Sequence, residues 1–231
     1  MIHYTISFIV ILLLFILGLL FLNKLTKYKK QINIIVPIII FIFYLYGVIW
    51  MYISVGIKDW NFINTLPVAN VSPFMFVFTF INLFLPKFIK KYVYTLISLL
   101  TVGMAVAGLL TCIVYIMRNY GFHLGIVFDG LNHVLLALFG IYLVNSKQTF
   151  INKKNIIISG LIIVGVAIIM LILNIIFDKS FFGLSLNGNH NIYGMVLTKN
   201  SYLSVLLYFT GLSLVLFVGY LFPKLLIKKV K

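Results

Sequence analysis

Asp129 and His133 stand four residues apart in FDGLNHVLLALFG, residues 128–140, in a very apolar part of a chain with only three acidic residues. Residues at i and i+4 share a helix face, so this carboxylate and imidazole can touch. A carboxylate bonded to one ring nitrogen fixes the tautomer and leaves the other nitrogen as a base. Both groups are costly in hydrocarbon and are expected to face a bundle interior or a wet cavity. At a rise of 1.5 Å per residue, Asp129 lies about 8 Å and His133 about 14 Å below the start of its apolar run. Proximity to the interface excuses the first and not the second. The pair reads as a general-base site or as a polar tie between helices, and intramembrane ionisable groups favour the former.

Other residues fit around that base. NTLPVANVSPF, residues 64–74, supplies Asn70 and Ser72. A serine becomes a nucleophile only beside a base, and otherwise bonds back to its own helix. Cys112, the single cysteine, is the other candidate nucleophile, or a small inert hydrophobe. NGNHNIYG, residues 187–194, offers His190, Asn191 and Tyr193 as groups that cover the site or bind a polar head group, and His123 lies on the same side. The alternative for these is a solvated surface loop. The histidines at 123, 133 and 190 lack ligand-like spacing, and no HExxH or GxxxxGK[ST] occurs, so neither metal nor other cofactor is expected.

The elements that must position these residues are membrane spans. The chain has 231 residues, 63% hydrophobic and 9% charged, whereas soluble domains carry about 25% charged residues. Crossing a bilayer takes about 20 apolar residues. Seven runs qualify, at 5–23, 32–55, 67–85, 92–117, 124–144, 156–177 and 202–222, which predicts an all-α, polytopic seven-helix bundle forming one transmembrane domain over residues 1–231. The first run is no signal peptide, because its basic cluster KLTKYKK follows it instead of preceding it.

Lysine placement predicts orientation. One set of alternate loops holds Lys24, Lys27, Lys29 and Lys30, then Lys87, Lys90 and Lys91, then Lys147, Lys153 and Lys154, then Lys224, Lys228, Lys229 and Lys231. The other holds only Lys58, Arg118, Lys179 and Lys199. The lysine-rich side is the cytoplasmic one, so the amino terminus is expected outside and the carboxyl terminus inside. The net charge of +15 is thereby explained without nucleic acid. Trp50, Tyr52, Trp60, Tyr115, Tyr120 and Tyr202 fall near the outer boundary, as an aromatic belt does. Pro37, Pro67, Pro86 and Pro223 are read as lying near span ends, and Pro73 as one turn into the third span. Gly103 and Ala107 form a small-residue face for close packing. The longest loop is outside, and its Asn187-Gly188 pair predicts a hairpin-like turn. Heavy use of Ile, Phe, Lys and Asn suits an AT-rich bacterial genome, so a bacterial cell membrane is the expected location.

The order of motifs resembles the YwaF-type integral membrane proteins over residues 60–205. The resemblance rests on Leu66-Pro67 opening a span, His133 in LNHVLLALFGIYLV, Asn191-Ile192-Tyr193, and Lys199 in LTKNSYLS. Eukaryotic relatives of that family are phospholipid acyltransferases working through a cysteine and a histidine, so the resemblance implies that His133 is the base. The family's cysteine position holds Val71 here, with Ser72 next to it, and the proline after the lysine is Asn200. The expected function is acyl transfer on a lipid or lipoprotein at the outer leaflet, with membrane lipid as partner, His133 oriented by Asp129, and Ser72 or Cys112 as nucleophile. Direct activation of the acceptor by His133 is the variant without a covalent step. The alternatives are a small-molecule binding or transport protein and a non-catalytic accessory subunit of a membrane complex.

Overall fold

Hydrocarbon offers backbone amides no water to bond, so long apolar runs satisfy themselves as helices. A computed structural model of the protein describes residues 2–55, 71–117, 124–149, 151–177, 191–192, 195–196 and 201–229. In chain order these form α1 (Ile2–Leu25), α2 (Lys29–Val55), α3 (Val71–Ile81), α4 (Lys87–Met117), α5 (Leu124–Asn145), α6 (Lys153–Phe177), β1 (Asn191–Ile192), β2 (Met195–Val196) and α7 (Ser201–Lys229). Apart from one two-residue ladder and short connecting turns, the described chain is helical.

Among the described residues, four stretches are long and apolar enough to cross a membrane: Thr5–Trp50, Lys87–Leu110, Leu124–Asn145 and Lys153–Phe177. Val71–Ile81 and Phe209–Leu221 are shorter apolar helices. The first stretch contains two helices joined by a single 3-10 turn, Thr26–Tyr28, and its contacts show that it doubles back. Ile11 clusters with Val134, Gly18 meets Leu138, and Asn145 Nδ2 donates to Asn23 Oδ1 at 3.0 Å. Beyond the turn, Asn33 Nδ2 donates to Gln148 Oε1 and Gly47 lies against Gly125 and Phe128. Thus α1 runs parallel to α5, and α2 runs antiparallel to it.

The core centres on α5, which packs against α1, α2 and α4. Leu136, Ala137, Phe139, Tyr142 and Leu143 of α5 are buried with Val93, Leu96, Ile97 and Leu100 of α4. Glycine permits the approach: a side chain at Gly140 would collide with Thr101 and Ile97, and one at Gly219 of α7 with the Leu99 backbone. A stripe of hydroxyls lies along the α4–α5 seam. Thr95 and Ser98 donate back to the carbonyls of Lys91 and Tyr94, both at 2.8 Å. Thr95 Oγ1 also bonds Thr149 Oγ1 at 2.7 Å, and Ser98 Oγ reaches the Gly140 carbonyl at 3.2 Å. On the far side of α4, Gly103 faces Val215 of α7, and Ser159 of α6 donates to the Tyr92 carbonyl at 2.8 Å. Away from the lysine-bearing helix ends much of the exposed surface is apolar: Ile2 is 74% and Leu161 64% exposed, which suits hydrocarbon rather than water as solvent.

The chain leaves α5 through a Schellman cap. Gln148 N–H bonds the Leu143 carbonyl at 2.9 Å and Lys147 N–H the Val144 carbonyl at 3.0 Å, with Lys147 at φ 56 in the left-handed position that glycine normally fills. The cap aims Gln148 at Ser146 Oγ, 2.8 Å away, and at Asn33.

Two expectations are corrected, and a third falls outside the described residues. The third run was expected over 67–85, but helix α3 ends at Ile81, and Asn82–Phe84 turn before Pro86 opens α4. Pro86 disfavours helical geometry in the residue before it. Pro37 and Pro223 lie inside α2 and α7 instead of at span ends; Pro37 leaves the Asn33 carbonyl without its helical donor. The turn expected at Asn187-Gly188 lies outside the described residues. The ladder observed pairs Asn191 with Val196 and Ile192 with Met195.

Candidate functional site

The Asp129–His133 pair is held by α5, where every helical side chain stands one turn from the carbonyl of residue i−4. That geometry decides the ring's partner. His133 Nδ1–H donates to the Asp129 backbone carbonyl at 2.7 Å. The Asp129 carboxylate Oδ1 stands 3.6 Å from the same nitrogen, beyond hydrogen-bond length. The Asp129 side chain is 46% exposed, whereas His133 is buried at 3%. The pair thus shares a helix face at ion-pair distance, as expected, while the ring's hydrogen bond goes to the carbonyl and not to the carboxylate. A buried anion is costly, and the Asp129 carboxylate keeps nearly half of its surface exposed while the carbonyl takes the ring's hydrogen bond. The tautomer follows all the same: a carbonyl only accepts, so in the neutral ring the proton sits on Nδ1 and the lone pair on Nε2. His133 Nε2 is buried and has no hydrogen-bond partner.

The ring is closely enclosed. Phe76 of α3 meets it edge-on, with centroids 5.1 Å apart and planes at 87°. A Cβ placed on Gly108 of α4 would stand 2.9 Å from His133 Cβ. Two openings flank the bundle: one of about 300 Å³ lies between α4 and α7, beside Gly103, Ala107 and Val215, and one of about 860 Å³ lies near Gln148. Neither is lined by Asp129, His133 or Ser72.

Ser72 sits in the first turn of α3, half-buried, one turn before Phe76. It is therefore on the face that approaches His133, but Phe76 occupies the contact and His133 Nε2 receives no bond from it. Cys112 belongs to the helical backbone of α4, one turn beyond Gly108. Asn191 opens β1. Asn70, His123, His190 and Tyr193 lie outside the described residues.

Sequence reasoning missed Thr79, Asn82 and Asn132. Each is at most 2% exposed and holds a buried oxygen with no partner. Asn132 adjoins His133 in sequence, and Thr79 is one turn below Phe76. A polar residue on an otherwise apolar run was the available signal. The hydroxyl stripe Thr95, Ser98 and Thr101 was also legible, as a spacing of three in KYVYTLISLLT. At the amino-terminal end of α5, Phe128 packs with Tyr46 at 4.7 Å, and Tyr46 stacks on Trp50 at 6.4 Å.

No protein-family model, curated protein or solved structure matches this chain.

Proposed function

We propose that this protein is a seven-span acyltransferase of a bacterial cell membrane, with its amino terminus outside, acting on a lipid or lipoprotein in the outer leaflet. The alternating directions of neighbouring helices and the lysine bias between loops support the topology. A distant relation to the YwaF-type proteins, resting on Leu66-Pro67, His133, Asn191-Ile192-Tyr193 and Lys199, is part of the same reading. One observation carries the chemistry: Nδ1 is occupied by a carbonyl, which leaves a buried, unpartnered lone pair on His133 Nε2.

The reaction is direct. Nε2 takes the proton of an acceptor hydroxyl or amine as that atom attacks the acyl carbonyl. The tetrahedral intermediate collapses, the acyl–oxygen bond of the donor breaks, and the imidazolium returns the proton to the departing oxygen. The Phe76 ring must swing aside to admit the acceptor. Ser72 suits a covalent variant only if the same movement lets its hydroxyl reach Nε2. Asn70, Asn191 and Tyr193 are the proposed donors to the oxyanion.

The test is acyl exchange in a native lipid extract, followed by mass spectrometry of products. His133→Ala is expected to lower turnover by about 100-fold or more, in the range of general-base contributions, with helicity and elution volume unchanged. Unchanged turnover in that variant would remove the mechanism. A second reading, a non-catalytic accessory or binding protein, draws on the enclosure of His133 by Phe76 and Gly108. Stable co-purification with a partner, together with full function after changes at both Asp129 and His133, would favour it.

A further inference from the structure

The 860 Å³ opening lies at the end of the bundle away from Asp129, between the start of α2, the turn after α3 and the first turns of α4. Its walls are of two kinds. Lys30, Lys87, Lys90 and Lys91 are the four basic residues of its lining. Ile34, Ile38, Phe80 and Phe84 supply an apolar face that continues to the outside, with Phe84 76% and Ile34 46% exposed.

No acidic side chain among the described residues compensates that charge. Asp129 is the only acidic side chain among the described residues, and it sits near the opposite end of α5, roughly 24 Å away at the helical rise. The amino-terminal end of α4 starts at Lys87 and adds its own positive potential. Two of the lysines are already positioned. Lys90 Nζ donates to the Leu83 carbonyl at 2.9 Å and keeps two further donors. Lys91 Nζ lies 4.8 Å from the centre of the Tyr92 ring. Asn33 is also in the lining, and its Oδ1 is buried just behind that wall with no partner; Pro37 leaves its backbone carbonyl without a helical donor. The opening thus presents cations for an anion and an apolar wall open to hydrocarbon, and a small turn of the Asn33 side chain would bring an unpaired acceptor to its edge.

We propose that this opening binds an anionic phospholipid with a hydroxylated headgroup. The phosphate sits among the four lysines, a headgroup hydroxyl donates at Asn33, and an acyl chain lies along Phe80 and Phe84. Lysines on loops usually serve topology alone; the difference here is that four of them share one cavity with an apolar wall. The site is independent of chemistry at His133, and its test reads binding, not turnover.

The experiment is native mass spectrometry of the full-length protein released from micelles doped with phosphatidylglycerol and phosphatidylcholine in equal amounts. Retained phosphatidylglycerol is expected to exceed phosphatidylcholine by about tenfold, a ratio that one or two lysine contacts supply. The set Lys30→Gln, Lys87→Gln, Lys90→Gln and Lys91→Gln is expected to abolish that preference. A charge-matched set outside the cavity, Lys24→Gln, Lys27→Gln, Lys153→Gln and Lys154→Gln, is expected to leave it within about twofold. Should the fourfold cavity variant fail to fold, Lys30→Gln with Lys91→Gln is read instead and is expected to lower the preference severalfold. Phe84→Ser is expected to weaken retention while leaving every charge in place. Equal loss in cavity and control sets, equal retention of the two lipids, or full displacement by millimolar inorganic phosphate would each overturn the proposal. The last result would mark a site for a free anion.

Discussion

A Cβ built on Gly108 of α4 stands 2.9 Å from His133 Cβ and 2.9 Å from the Gly130 carbonyl oxygen on α5. Two helices therefore meet backbone to backbone at the level of the buried His133 imidazole. Neither contact atom is the far end of a flexible chain, so a methyl group there must separate the helices. Gly108→Ala is expected to lower stability by about 1–3 kcal/mol, the usual cost of overpacking. Denaturation in mixed micelles measures it. A midpoint identical to that of the parent protein would show that α4 and α5 do not touch at this level.

Gly219 and Gly211 of α7 make a controlled pair. A Cβ on Gly219 would collide with the Leu99 backbone of α4, whereas Gly211 has nothing within 4 Å. Gly219→Ala is expected to loosen α7 from the bundle, seen as faster proteolysis of the carboxyl-terminal segment. Gly211→Ala is expected to be neutral or to stabilise by up to about 1 kcal/mol through helix propensity. Equal behaviour of the two would contradict the α4–α7 packing.

Lys147 holds the left-handed position of the cap on α5 at φ 56. A side chain is strained there and glycine is not. Lys147→Gly is expected to raise stability by about 1 kcal/mol in the same denaturation assay. A loss of stability would place the strain elsewhere.

The carbonyl of Asp129, and not its carboxylate, receives the His133 proton. Asp129→Asn keeps that carbonyl. The ¹⁵N shifts of the imidazole are therefore expected to report the same Nδ1–H tautomer in both proteins. A change to the Nε2–H form in the variant would show that the carboxylate holds the ring. Acyl transfer, where it is measured, is expected to fall far less in Asp129→Asn than in His133→Ala.

What was legible in the sequence is local. Hydrocarbon demands long unbroken apolar helices, so the runs at 5–23, 124–144 and 156–177 lie within a few residues of α1, α5 and α6. The helix period placed Asp129 and His133 on one face, and a spacing of three exposed the stripe Thr95, Ser98 and Thr101. Tertiary structure decided the rest. Whether the ring bonds a carboxylate or the carbonyl beside it depends on which side chain the neighbouring helices leave room for, and Phe76 and Gly108 closed the interior while Asp129 turned outward. Four lysines read in sequence as two loop clusters became one cavity only when the start of α2 lay beside the start of α4. Period and composition act along one helix, whereas enclosure and shared cavities are set by contacts between residues that the sequence keeps far apart.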